Sequence, residues 1–214
     1  MSELFEQLDF RENPLFEGII NDLLEQQYSV VDHFFTPDEV DALRTALLQK
    51  HENALFKKAA IGNKTNETVE KAIRGDYIHW INELEKSAVE TIFFDKLNAL
   101  VDYLNKTCFL GILHKEFHYA IYPKGTFYKR HLDTFQNDDR RKLSFVFYLN
   151  DESWQPENGG DLVLYLNENG KENKKTVHPF PGRVVIFESQ DIEHEVKPVL
   201  NGERYSITGW MKTR

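Results

Sequence analysis

His131 and Asp133 stand one residue apart in the stretch FYKRHLDTFQNDD, residues 127–139. On a β-strand such i and i+2 side chains point to one face. The pair therefore converges either on a metal ion or on a surface hydrogen bond. A third candidate ligand is His194, in SQDIEHEVKP, far enough along the chain for several strands to intervene. Two histidines and one carboxylate make the facial ligand set of non-haem Fe(II) oxygenases, which leaves coordination positions open for a co-substrate and O2. A bare His-x-Asp with a distant His is a weak motif. The chain has eight histidines, and His33, His51, His79, His114, His118 and His178 have no comparable setting. Arg204 strengthens the metal reading. Asn201-Gly202 just before it is a hairpin signal, expected to carry Arg204 back alongside the strand of His194. An arginine there clamps a carboxylate through two charge-assisted hydrogen bonds. Triad plus clamp suits a dicarboxylate that chelates iron at one end; the alternative for Arg204 is an ordinary surface ion pair.

The elements that must position these residues change character near residue 112. Before it helices dominate. NPLFEGIINDLLEQQ and ETIFFDKLNALVDYLNKT have helical apolar spacing. TPDEVDALRTALLQKH opens on Thr36 as N-cap, Pro37 at the first helical position and Glu39 completing a capping box. YSVVDHFF reads as a short strand. The segment KKAAIGNKTNETVEKA, residues 57–72, reads as a mobile loop or exposed hairpin. After residue 112 the period moves towards two in EFHYAIYP, KLSFVFYLN, DLVLYLN, GRVVIFES and ERYSITGWMK, with Gly-containing turn signals between them. Short strands at that spacing predict a sandwich or barrel, the jelly roll included. With helices packed on one side, the class is α+β. Residues 1–214 read as a single domain, 1–111 mainly helical support and 112–214 the β core.

The formal net charge of −9 argues against nucleic acid or an anionic membrane as partner, since both select a basic face. The single cysteine, Cys108, excludes an internal disulfide and cysteine zinc sites and suits a reducing compartment. MSELFEQLDFRENP lacks the basic and apolar regions of a signal peptide, and the cytoplasm is the expected location.

At AIYPKGTFYKRHLD, LSFVFYLN, NGGDLVLY, HEVKP, RYSITGW and, upstream, AIRGDYIHWI, the sequence resembles the 2-oxoglutarate and Fe(II)-dependent oxygenases. Within them it is most similar to prolyl hydroxylases of the oxygen-sensing type and their bacterial relatives, over roughly residues 26–211. The resemblance implies a double-stranded β-helix with iron held by His131, Asp133 and His194. It implies that the far carboxylate of 2-oxoglutarate pairs with Arg204 and accepts a hydrogen bond from Tyr148, with Tyr122 approaching the co-substrate near the metal. Tyr128 and Trp210 become pocket walls, and Arg141 and Trp210 line the substrate entrance. Arg74 and Asp76 would brace the 57–72 loop, a lid, by an ion pair of the weak exposed kind. The stretch between His194 and Arg204 is one residue longer than in the animal enzymes, and the chain stops at Arg214 where they continue into a helix, which points to a bacterial type.

The activity so implied is hydroxylation of a proline at C4, with 2-oxoglutarate and O2 as co-substrates giving succinate and CO2. Ascorbate is a further expected cofactor. The expected partner is a protein with an exposed proline loop; relatives that act on elongation factor Tu point to a translation factor. Two other readings stand beside it: an oxygenase of the same class acting on a small molecule or another side chain, and a non-catalytic jelly-roll binding protein.

Overall fold

The computed structural model describes residues 11–59, 73–134, 140–168 and 170–213. Its helices are α1 (Pro14–Gln26), α2 (Pro37–Glu52) and α3 (Ala88–Cys108). Its strands are β1 (Tyr28–Val31), β2 (Lys57–Lys58), β3 (Tyr77–Ile81), β4 (His114–Pro123), β5 (Tyr128–His131), β6 (Arg141–Tyr148), β7 (Leu162–Glu168), β8 (Lys171–Val177), β9 (Val184–Glu188), β10 (Glu193–Val196) and β11 (Glu203–Lys212). Helix α2 starts where its capping residues predict. Thr36 Oγ1 accepts from the Glu39 amide at 3.3 Å, and the Glu39 carboxylate accepts from the Thr36 amide at 2.7 Å. Helix α3 begins at a second such box, Ser87 with Glu90.

The strands form a seven-stranded sheet, β1-β9-β6-β11-β4-β3-β2, and a four-stranded sheet, β5-β10-β7-β8. Together they make the double-stranded β-helix of the α+β class. The period of two in the sequence now has a meaning. On β4, Phe117, Tyr119 and Ile121 join the helix-side core, while Ala120 and Tyr122 point between the sheets. On β6, Phe145 and Phe147 pack under the helices and Val146 and Tyr148 face inward. Helices α1, α2 and α3 cover the outer face of the large sheet with Ile19, Leu43, Phe93, Leu97 and Leu104, each almost fully buried. Each such side chain contributes about 1.5–3 kcal/mol. That packing holds the large sheet rigid, so its inner face can carry polar groups.

Three features differ from the sequence expectation. The strand expected at YSVVDHFF forms as β1, but it pairs with β9, and a further strand before residue 112, β3, pairs with β4, so both belong to the large sheet. Strand β8, KENKKTV, carries no apolar alternation; it is the edge of the small sheet, paired with β7, where lysines discourage pairing with another chain. The hairpin expected at Asn201-Gly202 does not form. Strand β10 pairs with β5 and β7, and β11 pairs with β4 and β6. The link between them crosses from one sheet to the other. Its backbone amides at Lys197, Val199 and Leu200 donate to the carbonyls of Asp161, Thr126 and Asn158 rather than across a hairpin. Arg204 thus reaches the site from the sheet opposite His194. Of the expected lid, 57–72, residues 60–72 lie outside the described residues. Among the described residues no helix is long and apolar enough to cross a membrane.

Candidate metal and co-substrate site

His131 closes β5 and His194 sits on β10, and the two are direct partners across the antiparallel pair. Asp133 follows two residues after His131, just past the strand end, and its side chain is buried. The register alone brings the three together: one ligand atom from each lies within 4.8 Å of the others. His131 Nε2 stands 3.6 Å from Asp133 Oδ1, and His194 Nε2 stands 3.5 Å from Asp133 Oδ2.

The surroundings fix which atoms face the cluster. His131 Nδ1 lies 2.7 Å from the Lys129 carbonyl oxygen and His194 Nδ1 lies 3.3 Å from that of Ile192. A carbonyl only accepts, so each Nδ1 carries the proton and each Nε2 presents its lone pair. Burial pushes the His194 pKa down to about 4, against the pull of Asp133; the imidazole is neutral at pH 7, the form that binds a metal. Burial works against charge on Asp133, yet the two imidazoles and the Ser144 hydroxyl hold it far below the usual carboxylate range. Ser144 Oγ donates to Asp133 Oδ2 at 2.6 Å. Its only proton is thereby used, so Ser189 Oγ, 2.8 Å away, donates to Ser144.

Arg204 is 1% exposed. Its Nη1 donates to Ser206 Oγ at 3.2 Å, and its Nε has no partner. No carboxylate pairs with it among the described residues. The rings of Tyr122 and Tyr148 lie 4.9 Å from its Cζ, and the Tyr148 hydroxyl is also buried without a partner. An unpaired buried guanidinium is costly, so this end of the site is built for an anion. The Gly159-Gly160 turn helps to hold it. Gly160 has φ +71°, and a Cβ there would come within 2.9 Å of Arg204 Cδ, so a side chain would push the guanidinium out of place.

One cavity of about 710 Å³ is lined by Tyr122, Tyr128, His131, Asp133, His194 and Arg204. Its donor set, two imidazoles and a carboxylate, suits Fe(II), and the orphaned Arg204 Nε and Tyr148 hydroxyl suit the far carboxylate of a diacid. Tyr128 stacks on His131, ring centroids 3.6 Å apart. Arg141 Cζ lies 3.5 Å over the Trp210 ring, and its Nη1 donates to the Asp133 carbonyl oxygen at 2.9 Å. The two residues expected at the entrance thus form one stacked unit tied to a ligand's backbone. Arg141 is not a free surface charge, because its Nη2 also donates to Glu116 at 2.9 Å.

One expectation is corrected. The Arg74–Asp76 pair is not of the exposed, weak kind. Asp76 is 1% exposed, and Arg74 donates to both its oxygens, Nε at 2.8 Å and Nη2 at 2.6 Å. The Arg74 guanidinium also covers the Tyr128 ring at 4.3 Å. Burial opposes charge on Arg74, but the adjacent Asp76 carboxylate raises its pKa all the same.

Ser144 and Ser189 escaped the sequence reading, although a signal existed. In KLSFVFYLN, Ser144 shares its strand parity with the inward-facing Val146 and Tyr148. Replacing Ser144 by alanine is expected to weaken Fe(II) binding about 10- to 100-fold. Anaerobic metal titration measures it, and an unchanged affinity would show that Asp133 needs no support from the serine.

Residues 117–212 match the family model of the 2OG-Fe(II) oxygenase superfamily. The mouse prolyl hydroxylase EGLN3 is 30% identical over 202 residues, 91% of this chain and 82% of that protein. Among solved structures, a Pseudomonas putida prolyl-4-hydroxylase superposes with a TM-score of 0.83 at 36% identity, covering 94% of this chain and 100% of the other. A prolyl hydroxylase from Trichoplax adhaerens, solved with a hypoxia inducible factor peptide fragment, gives 0.82 at 28% identity, covering 93% and 89%.

Proposed function

We propose that this chain, which belongs to the prolyl hydroxylase family of 2-oxoglutarate- and Fe(II)-dependent oxygenases, hydroxylates a proline within a protein substrate. The overall change balances as one proline C4–H, O2 and 2-oxoglutarate giving hydroxyproline, succinate and CO2. One oxygen atom enters the proline and the other enters succinate. His131, Asp133 and His194 would hold the metal, and Arg204 with Tyr148 would hold the far carboxylate of the co-substrate. When bound, Fe(II) supplies the activation of O2 that no side chain provides. The protein's own part is positional. The two Nδ1–H bonds fix the imidazoles, Ser144 steadies Asp133, and the large sheet keeps Arg204 opposite the triad. Tyr122, Tyr128 and Trp210 wall the cavity with apolar surface and keep water from the reacting groups.

The observation that carries this reading is Arg204, buried without a counter-charge in the cavity that holds the triad. A metal-binding protein with no use for an organic anion would not keep such a group. The relatives' substrates favour a protein target, since one neighbour was solved with a peptide fragment bound. A translation factor of the elongation factor Tu type is the candidate that the sequence resemblance suggests. Mass spectrometry of candidate proteins, treated with enzyme, Fe(II) and 2-oxoglutarate, tests the proposal. One added oxygen on a proline, matched by succinate release, supports it. Succinate release with no proline modified in any candidate protein would move the substrate to another class.

A further inference from the structure

The wall of the cavity beyond Arg204 carries a polar group that neither the metal nor a diacid uses. His118 is 3% exposed, lines the cavity, and its Nδ1 has no hydrogen-bond partner among the described residues. It pairs in register with Trp80 on β3 and with Thr208 on β11, and both of those residues line the cavity as well. Thr208 is four residues along β11 from Arg204, roughly 13 Å of strand at about 3.3 Å per residue. A five-carbon diacid anchored at Arg204, with bonds of about 1.5 Å, is too short to serve both places. Beside His118, ring centroids 5.7 Å away, Trp210 has a buried Nε1 that is also unpartnered. Trp80 is 50% exposed and stands 4.8 Å from the His118 ring on its other side.

We propose that His118, with Trp210 Nε1 beside it, recognises the backbone carbonyls of the X-Pro-X segment that carries the target proline. The inference rests on the prolyl reading above and specifies how that substrate is read. Its chemistry is one of matching deficits. Proline has no N–H, so the carbonyls on either side of its ring are acceptors with no proline donor between them. Indole Nε1–H only donates, and a neutral imidazole has one N–H to give. Burial, with Arg74 nearby, pushes the His118 pKa down to about 3, which keeps the ring neutral. A proton on His118 Nδ1 and the Trp210 indole N–H would then meet the two carbonyls that flank the proline ring, and the half-exposed Trp80 ring is apolar surface for the pyrrolidine.

The test uses a library of acetylated nonapeptides, each with one central proline, and the intact enzyme with Fe(II) and 2-oxoglutarate. On the best peptide, His118→Leu is expected to raise the peptide KM about tenfold, with the 2-oxoglutarate KM within twofold of wild type. His118→Asn, whose amide nitrogen lies close to the position of Nδ1, is expected to return the peptide KM to within threefold. Thioamide replacement of either carbonyl flanking the proline ring then separates recognition from packing. It should weaken wild-type turnover at one of the two positions and have no effect there in His118→Leu. Equal thioamide penalties in both enzymes, or an unchanged peptide KM in His118→Leu, would overturn the assignment while leaving prolyl hydroxylation intact. If wild type modifies no peptide yet still converts 2-oxoglutarate to succinate, the prolyl reading falls and takes this inference with it.

Discussion

Replacing Arg204 by leucine raises the 2-oxoglutarate concentration needed for half-maximal turnover by about 30-fold to several thousandfold. The range is that of losing one partner of a buried charge pair, about 2–5 kcal/mol. Iron affinity stays near wild type, because Arg204 stands on the opposite sheet from His131 and His194, hydrogen-bonded to Ser206 beside the Tyr122 and Tyr148 rings. Stability moves the other way from most core substitutions. The ligand-free protein already carries the cost of an unpaired buried guanidinium, and leucine removes it. The variant without co-substrate should therefore melt no lower than wild type. With Fe(II) present throughout, 2-oxoglutarate at a concentration that saturates wild type should add no further rise in melting temperature, since that rise depends on binding. An unchanged co-substrate requirement would assign the clamp to another residue.

Replacing Asp133 by alanine has the second large effect. It removes the one carboxylate of the set and leaves two imidazoles, together with a Ser144 hydroxyl that has lost its acceptor. Breaking a buried, hydrogen-bonded charge interaction costs about 3–5 kcal/mol, a hundredfold to several thousandfold. Iron retention and turnover should fall together by at least that factor. His114→Ala is the control, since His114 opens β4 on the exposed surface and should change neither. If Asp133→Ala keeps iron and activity, the facial set is wrong.

Much of this was legible in the residues, and for definite reasons. The capping box of α2 is written in Thr36, Pro37 and Glu39, and the structure uses all three. The alternation in HYAIYP and FVFYL became two faces of one sheet, one under the helices and one facing the site. What escaped depends on pairing between distant strands, which short-range pattern does not encode. Asn201-Gly202 looked like a hairpin, yet its neighbours β10 and β11 belong to different sheets, so turn chemistry gave the bend and not the partner. Strand β8 hid behind its lysines because an edge strand needs no apolar face. His118 looked like the other histidines because its setting is made by Trp80, Thr208 and Trp210, three residues far from it in sequence. The Arg74–Asp76 pair reads as surface charge along the chain and is interior only once Tyr128 packs across it.

The most direct measurement is an anomalous-scattering map at the iron edge, from crystals grown without oxygen in Fe(II) and 2-oxoglutarate. The account predicts a single strong peak within coordination distance of His131 Nε2, His194 Nε2 and an Asp133 carboxylate oxygen, with the distal carboxylate of the diacid against Arg204 and Tyr148. A peak bounded by other residues, or a diacid that avoids Arg204, would contradict it.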